Sequence, residues 1–155
     1  MTAFLPRPTA EDTTAADTTP TALQTAGRLL LGGVLIAAGT GHLTFARGEF
    51  PAQVPDILTD GPLHLSEDLI VVASGIAEIS LGSALIALPQ HRRALGRISA
   101  AFFIAVFPGN VSQYLTRADA FGLDSDRKRL VRLLFQPALV AGALWTTGAW
   151  PRRRR

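Results

Sequence analysis

The sequence predicts an all-α protein: a four-helix transmembrane bundle, antiparallel and up-down, with a long ordered outer loop between helices one and two. Three observations predict it. Of the 155 residues, 48% are apolar and only 17% are charged, a balance that fits a chain meeting lipid rather than water. The apolar residues gather in four stretches of roughly 20 residues, each long enough at ~1.5 Å per residue to cross a ~30 Å hydrocarbon core. One of those stretches carries Glu78 near its centre, where an ionisable side chain costs roughly 2.5–3.5 kcal/mol and is kept mainly by facing protein, water or a partner.

Residues 1–22 are rich in Thr, Ala and Pro without apolar periodicity and read as a disordered cytoplasmic tail rather than a signal peptide. Helix one is expected over 23–45, helix two over 68–88 with Pro89 as its stop, helix three over 94–115, and helix four over 130–150 with Pro151 as its stop. Glycines and internal prolines in these stretches would harm soluble helices but are common in spanning ones. The turn Pro89–Arg93 makes helices two and three neighbours. The segment 46–67 holds three prolines and scattered apolar residues, which favours packing over the bundle's mouth. The transmembrane domain thus runs over 23–151, followed by a basic tail, 152–155.

Orientation follows from the basic residues. Arg7, Arg28, Arg92, Arg93, Arg97 and Arg152, Arg153, Arg154 and Arg155 fall on one side, nine in all, against six on the other (Arg47, Arg117, Arg127, Lys128, Arg129, Arg132). The expected location is the inner (plasma) membrane, multi-pass, with both termini cytoplasmic. Trp145 and Trp150 suit the inner interface and Tyr114 the outer one. The terminal arginines, with Arg28, Arg92 and Arg93, read as topology and lipid contacts. Their place beside membrane helices argues against nucleic acid as a partner and for the lipid bilayer.

Polar residues within the spans form the candidate site. His42, Glu78, Asn110, Arg132 and Gln136 come from four different helices and all point to the outer half of the bundle. Glu78 is deepest, ~15 Å from the outer end of helix two, and Asn110 lies ~8 Å below the surface. Gly32, Leu35, Gly39 and His42 share one helix face, as do Ser74, Gly75, Glu78 and Gly82. Small residues around Glu78 admit a close neighbour. Phe103, Phe107, Asn110 and Tyr114 form a third stripe, and Arg132, Gln136 and Leu139 a fourth. Pro108 deprives the Ile104 carbonyl of its helical donor, and Pro137 does the same to Leu133. In lipid those carbonyls need new partners, which Asn110, Gln136 or a trapped water could supply. A purely structural arrangement is the alternative: Asn110 and Gln136 tie helices together, His42 bonds the long loop, and Glu78 pairs with Arg132.

Other chemistry finds little support. The chain has no cysteine and three scattered histidines, so thiol chemistry is excluded and no metal is expected. His64 and His91 read as solvated. Ser74 and Ser80 have no base arranged as in a triad. No phosphate loop or dinucleotide fingerprint is present.

Six short motifs, in order, carry a resemblance: R-L-L-L-G at Arg28–Gly32, G-T-G-H-L-T-F at Gly39–Phe45, V-P at Val54–Pro55, S-G-I-A-E-I at Ser74–Ile79, F-P-G-N at Phe107–Asn110 and R-L-L-F-Q-P at Arg132–Pro137. Over about residues 26–150 the chain resembles the DoxX-like family of small bacterial four-helix membrane proteins. That family takes its name from a subunit linked to a thiosulfate:quinone oxidoreductase. Relatives are connected with membrane-associated oxidant defence, and distant eukaryotic ones act as assembly factors for membrane receptors. The resemblance carries the family's polar positions onto Arg28, His42, Glu78, Pro108, Asn110, Arg132 and Gln136. Usual members read F-P-A-N in helix three, so Gly109 is a departure, expected to loosen the Pro108 kink.

Three functions follow as expectations. The first is a non-catalytic subunit or small binding protein of membrane redox processes, holding a quinone-like or lipid-like molecule, with another membrane redox protein as partner and a quinone as the cofactor to look for. The second is a scaffold or assembly factor with no ligand. The third, a proton or ion path, rests on Glu78 alone.

Overall fold

The computed structural model describes residues 19–60 and 66–150. The tail 1–18, His64 and the Arg152–Arg155 block lie outside the described residues. Among those described there are four long helices and no strand: α1 (Ala22–Leu43), α2 (Glu67–Ala87), α3 (Arg92–Thr116) and α4 (Asp126–Thr146).

Each helix starts or stops for a local reason. Thr21 opens α1 with a capping box: its hydroxyl accepts from the Gln24 N–H at 3.1 Å, and the Gln24 side chain accepts from the Thr21 N–H at 3.0 Å. Ser66 caps α2 by accepting from the Leu69 N–H at 3.2 Å, and Glu67 and Asp68 complement the helix dipole in its first turn. Pro89 ends α2, and the 3₁₀ turn Pro89–His91 leads directly into α3. α3 runs unbroken through Pro108 and is capped by Arg117 in the left-handed region (φ 55°).

The fourth helix differs from the expected 130–150. It begins and ends four residues earlier, at Asp126 and Thr146. Gly148, not Pro151, stops it: its φ of 68° turns the chain, and the N–H groups of Gly148 and Ala149 bond the carbonyls of Trp145 (3.1 Å) and Leu144 (2.8 Å).

α1, α2 and α3 are long and apolar enough to cross a membrane. α4 is not, because Asp126, Arg127, Lys128, Arg129 and Arg132 all fall in its first seven residues. The interior is small: Leu35, Leu85, Ala100, Phe103 and Ala143 form its centre. Large apolar side chains face outward on all four helices, Leu30 at 71%, Ile76 at 54%, Ile104 at 61% and Leu134 at 68% exposure among them. A surface of this kind belongs in hydrocarbon rather than in water.

The helices pack as two close pairs, α1 with α2 and α3 with α4. In the first pair a Cβ on Gly39 would meet the Gly75 carbonyl oxygen at 2.5 Å, and one on Gly82 the Gly32 carbonyl oxygen at 2.5 Å. The small residues thus let the backbones touch at two levels, seven residues apart on each helix. The paired positions run in opposite sequence order. In the second pair Gly96 packs on Thr147, while Gln136 reaches Phe103.

Arg28, expected as a topology signal, is 94% buried (6% exposed). Its guanidinium donates to the carbonyl of Leu85 and, at 3.5 Å, to that of Ile86. It therefore satisfies the carbonyls that the end of α2 leaves open. Arg92 and Arg93 are half-buried at the start of α3.

The loop after α1 holds a 3₁₀ turn, Phe50–Gln53, and a one-turn helix, Asp56–Thr59. The 3₁₀ turn packs on α3 and α2, and buried Val54 follows it.

Candidate functional site: a cavity between two helix pairs

A cavity of about 550 Å³ lies between the helix pairs. All five polar residues singled out from the sequence line it: His42 from α1, Glu78 from α2, Asn110 from α3, and Arg132 and Gln136 from α4. Pro108 lines it as well. Pro137 does not. It lines a separate apolar groove of about 380 Å³ with Ile104, Phe107 and Val140, in which Gln136 is the shared wall. The remainder of the main cavity is largely apolar, with Val54 and Leu58 from the loop, Ile70 and Val71 from α2, and Leu139 from α4.

The Glu78–Arg132 pair of the purely structural alternative does not form. Glu78 pairs with His42 instead, Nδ1 to Oε2 at 2.8 Å, with both side chains nearly buried (11% and 12% exposed). The cause is helix geometry. Side chains lean towards the N-terminus of their own helix. α1 and α2 run in opposite order and touch at Gly39 and Gly75. His42, three residues after Gly39, and Glu78, three after Gly75, therefore lean back over the same crossing and meet. In the tautomer protonated at Nδ1, the ring donates to the Ala38 carbonyl, 3.0 Å away. Glu78 Oε2 is consequently close to the ring nitrogen but out of line with its proton, and it is buried without a hydrogen-bond partner. The hydrogen bond expected between His42 and the long loop is replaced by ring stacking: Phe50 lies over the imidazole at 3.3 Å and 22°.

Arg132 heads a chain of side-chain hydrogen bonds. Its Nε donates to Asn110 Oδ1 at 3.0 Å and its Nη2 to Gln53 Oε1 at 3.2 Å. Asn110 Nδ2 donates to Gln136 Oε1 at 3.1 Å, and Gln136 Nε2 to the Phe103 carbonyl at 2.6 Å. In the other direction Gln53 Nε2 donates to Gln113 Oε1 at 3.1 Å, and Gln113 Nε2 to the carbonyls of Ala118 and Ala120 at 3.4 Å. Each amide uses both its oxygen and its nitrogen, so the orientation of every member fixes the next. Gln136 bonds the backbone beside the Pro108 break, but at the Phe103 carbonyl and not at the Ile104 carbonyl that was expected to need a donor.

Two loops roof this network. Phe121 sits at φ 57°, a costly conformation for a bulky residue. It is held there on three sides. The Glu49 carboxylate accepts from its N–H, Phe50 meets its ring edge-on at 4.6 Å, and the Arg132 guanidinium lies 5.4 Å from its centroid. Behind the roof Arg129, 5% exposed, bonds Asp126 at 2.8 Å and also Asp119. On the surface the Lys128 ammonium, 2.8 Å from Asp124, holds that carboxyl below the usual range, first by hydrogen bonding and then by charge.

Sequence reasoning did not find Gln53, Gln113, Phe50 or Phe121. Gln113 follows Asn110 by three residues, a helical spacing that could have revealed it. The buried residues of α3 are Gly96, Ser99, Ala100, Phe103, Gly109, Asn110 and Gln113, with Tyr114 half-buried and Phe107 turned to the apolar groove. Gly109 has a role besides the one expected at the Pro108 kink. A Cβ there would collide with the Gln53 carbonyl oxygen, so glycine lets the roof sit on α3.

Among the described residues, an all-helical fold with three helices long and apolar enough to cross a membrane, and a largely apolar cavity set with a few polar side chains, is thus the class of protein defined by fold and site. The chain belongs to the family described as domain of unknown function (DUF8561), whose profile matches residues 31–147. Every residue lining the main cavity falls within that match. No curated protein and no solved structure matches the chain.

Proposed function

We propose that the protein is a small integral membrane protein that holds an amphiphilic, quinone-like or lipid-like molecule in the main cavity, as a non-catalytic binding protein or subunit serving membrane redox processes. The observation that carries this reading is convergence. Polar side chains from four helices and a loop meet at one cavity of about 550 Å³ whose remaining wall is apolar, the composition of a site for a ligand with a polar head and a greasy body. The reading takes the bundle as up-down and antiparallel with four spans, both termini cytoplasmic, and the loop at Phe50–Gln53 covering the outer mouth. The kinship proposed with it is DoxX-like, on the six motifs that end at R-L-L-F-Q-P.

Gentle extraction into lipid discs followed by native mass spectrometry and lipid analysis tests it. One amphiphile enriched over the bulk lipid, and lost in Gln136→Leu, is the expected result. Bulk lipids in membrane proportions, with a specific partner protein captured by crosslinking, would replace it with a ligand-free assembly factor.

A further inference from the structure

Resting on that reading, we propose the chemical class of the ligand: an uncharged amphiphile bearing a hydroxyl that donates a hydrogen bond to Glu78 Oε2. The amides of the cavity bond one another, and Arg132 spends Nε on Asn110 and Nη2 on Gln53. Glu78 Oε2 is different. It is the one buried cavity-lining side-chain atom among the described residues that lacks a hydrogen-bond partner, because the His42 proton beside it is directed to Ala38. A carboxylate oxygen is an acceptor only, so the complementary group is a donor. Leaving such an oxygen buried and unbonded costs free energy that a ligand hydroxyl recovers.

The head must also be neutral. Glu78 lines the cavity from α2 and Arg132 from α4. A phosphate or carboxylate head reaching Oε2 would meet like charge in a medium of low dielectric, and an ammonium head, though it could pair with Glu78, would bring a second cation into the cavity that Arg132 already lines. A hydroxyl avoids both.

The test uses the full chain in lipid discs and matched probes: 4-nonylphenol, its methyl ether, decanoic acid and decylamine, with binding read by native mass spectrometry. The phenol should bind the unmodified protein about 10-fold or more tightly than its ether, which has the same body and no donor, since a hydrogen bond to a charged acceptor is of that order. Both charged probes should bind more weakly than the phenol. In Glu78→Gln the phenol's advantage over the ether should shrink to a few-fold. The first comparison needs no variant, so it stands even where the substitution fails to fold. Equal binding of phenol and ether would overturn the donor assignment while leaving the cavity a binding site. Preference for a charged probe would overturn the neutrality. Binding of none of the four would remove both this inference and the reading it rests on.

Discussion

Replacing Gly109 by alanine puts back the residue that the DoxX-like resemblance expects, and here it should destabilise. The new Cβ would collide with the Gln53 carbonyl oxygen, a backbone atom that cannot swing aside as a side chain can. Overpacking of this kind costs about 1–3 kcal/mol. Alanine recovers up to ~1 kcal/mol of helix propensity. Displacing Gln53 also loosens its bonds to Arg132 and Gln113, at ~0.6 kcal/mol each for membrane proteins. The net expectation is a loss of about 1–3 kcal/mol. Gly33→Ala is the control, because nothing lies near its Cβ position, and it should be neutral or gain up to ~1 kcal/mol. Unfolding in mixed micelles by SDS titration, followed by circular dichroism, measures both. The absence of native cysteine adds a second readout: a single cysteine in place of Ala52 should label faster in the Gly109→Ala background. Equal stability of the two alanine variants, with unchanged labelling, would refute the account of how the roof is seated.

Other expectations concern the interfaces. Gly75→Leu drives a side chain into His42 Cβ and the Gly39 carbonyl, and should part α1 from α2 at a cost of about 3 kcal/mol or more, seen in the same titration. Gln136→Leu takes the acceptor from Asn110 Nδ2 and the side-chain donor from the Phe103 carbonyl and should cost about 1–3 kcal/mol. Asp124 titrates below its ordinary range because Lys128 holds it. Its contribution is therefore full above the unfolded value of about 3.9 and is lost as pH falls through the lower folded value. Asp124→Asn should flatten the acid limb of stability against pH, by little, since the pair is exposed; an unchanged limb would remove the interaction.

How much of this was legible depended on range. Span length and helical spacing are local, so the helices and the inward set His42, Glu78, Asn110, Arg132 and Gln136 were readable. The Glu78 partner was misassigned although its signal was present. Gly39 and Gly75 each precede the paired residue by three, and the lean of side chains along opposed helices does the rest. The end of α4 was misplaced because Gly148 in the left-handed region stops a helix before a later proline can. Gln53, Phe50 and Phe121 stayed hidden for a different reason. They stand on loops, and what brings them to the cavity is contact with Gly109, His42 and Glu49, partners remote in sequence.

Photolabelling tests the central claim most directly. A diazirine-bearing, hydroxylated amphiphile is irradiated with the protein in native membranes, and the adducts are mapped by peptide mass spectrometry. Adducts on Val54, Leu58, Phe103 and Leu139, abolished by excess unlabelled probe, are predicted. Adducts confined to outward residues such as Leu30, Ile76, Leu134 and Phe135, indifferent to competitor, would contradict the account.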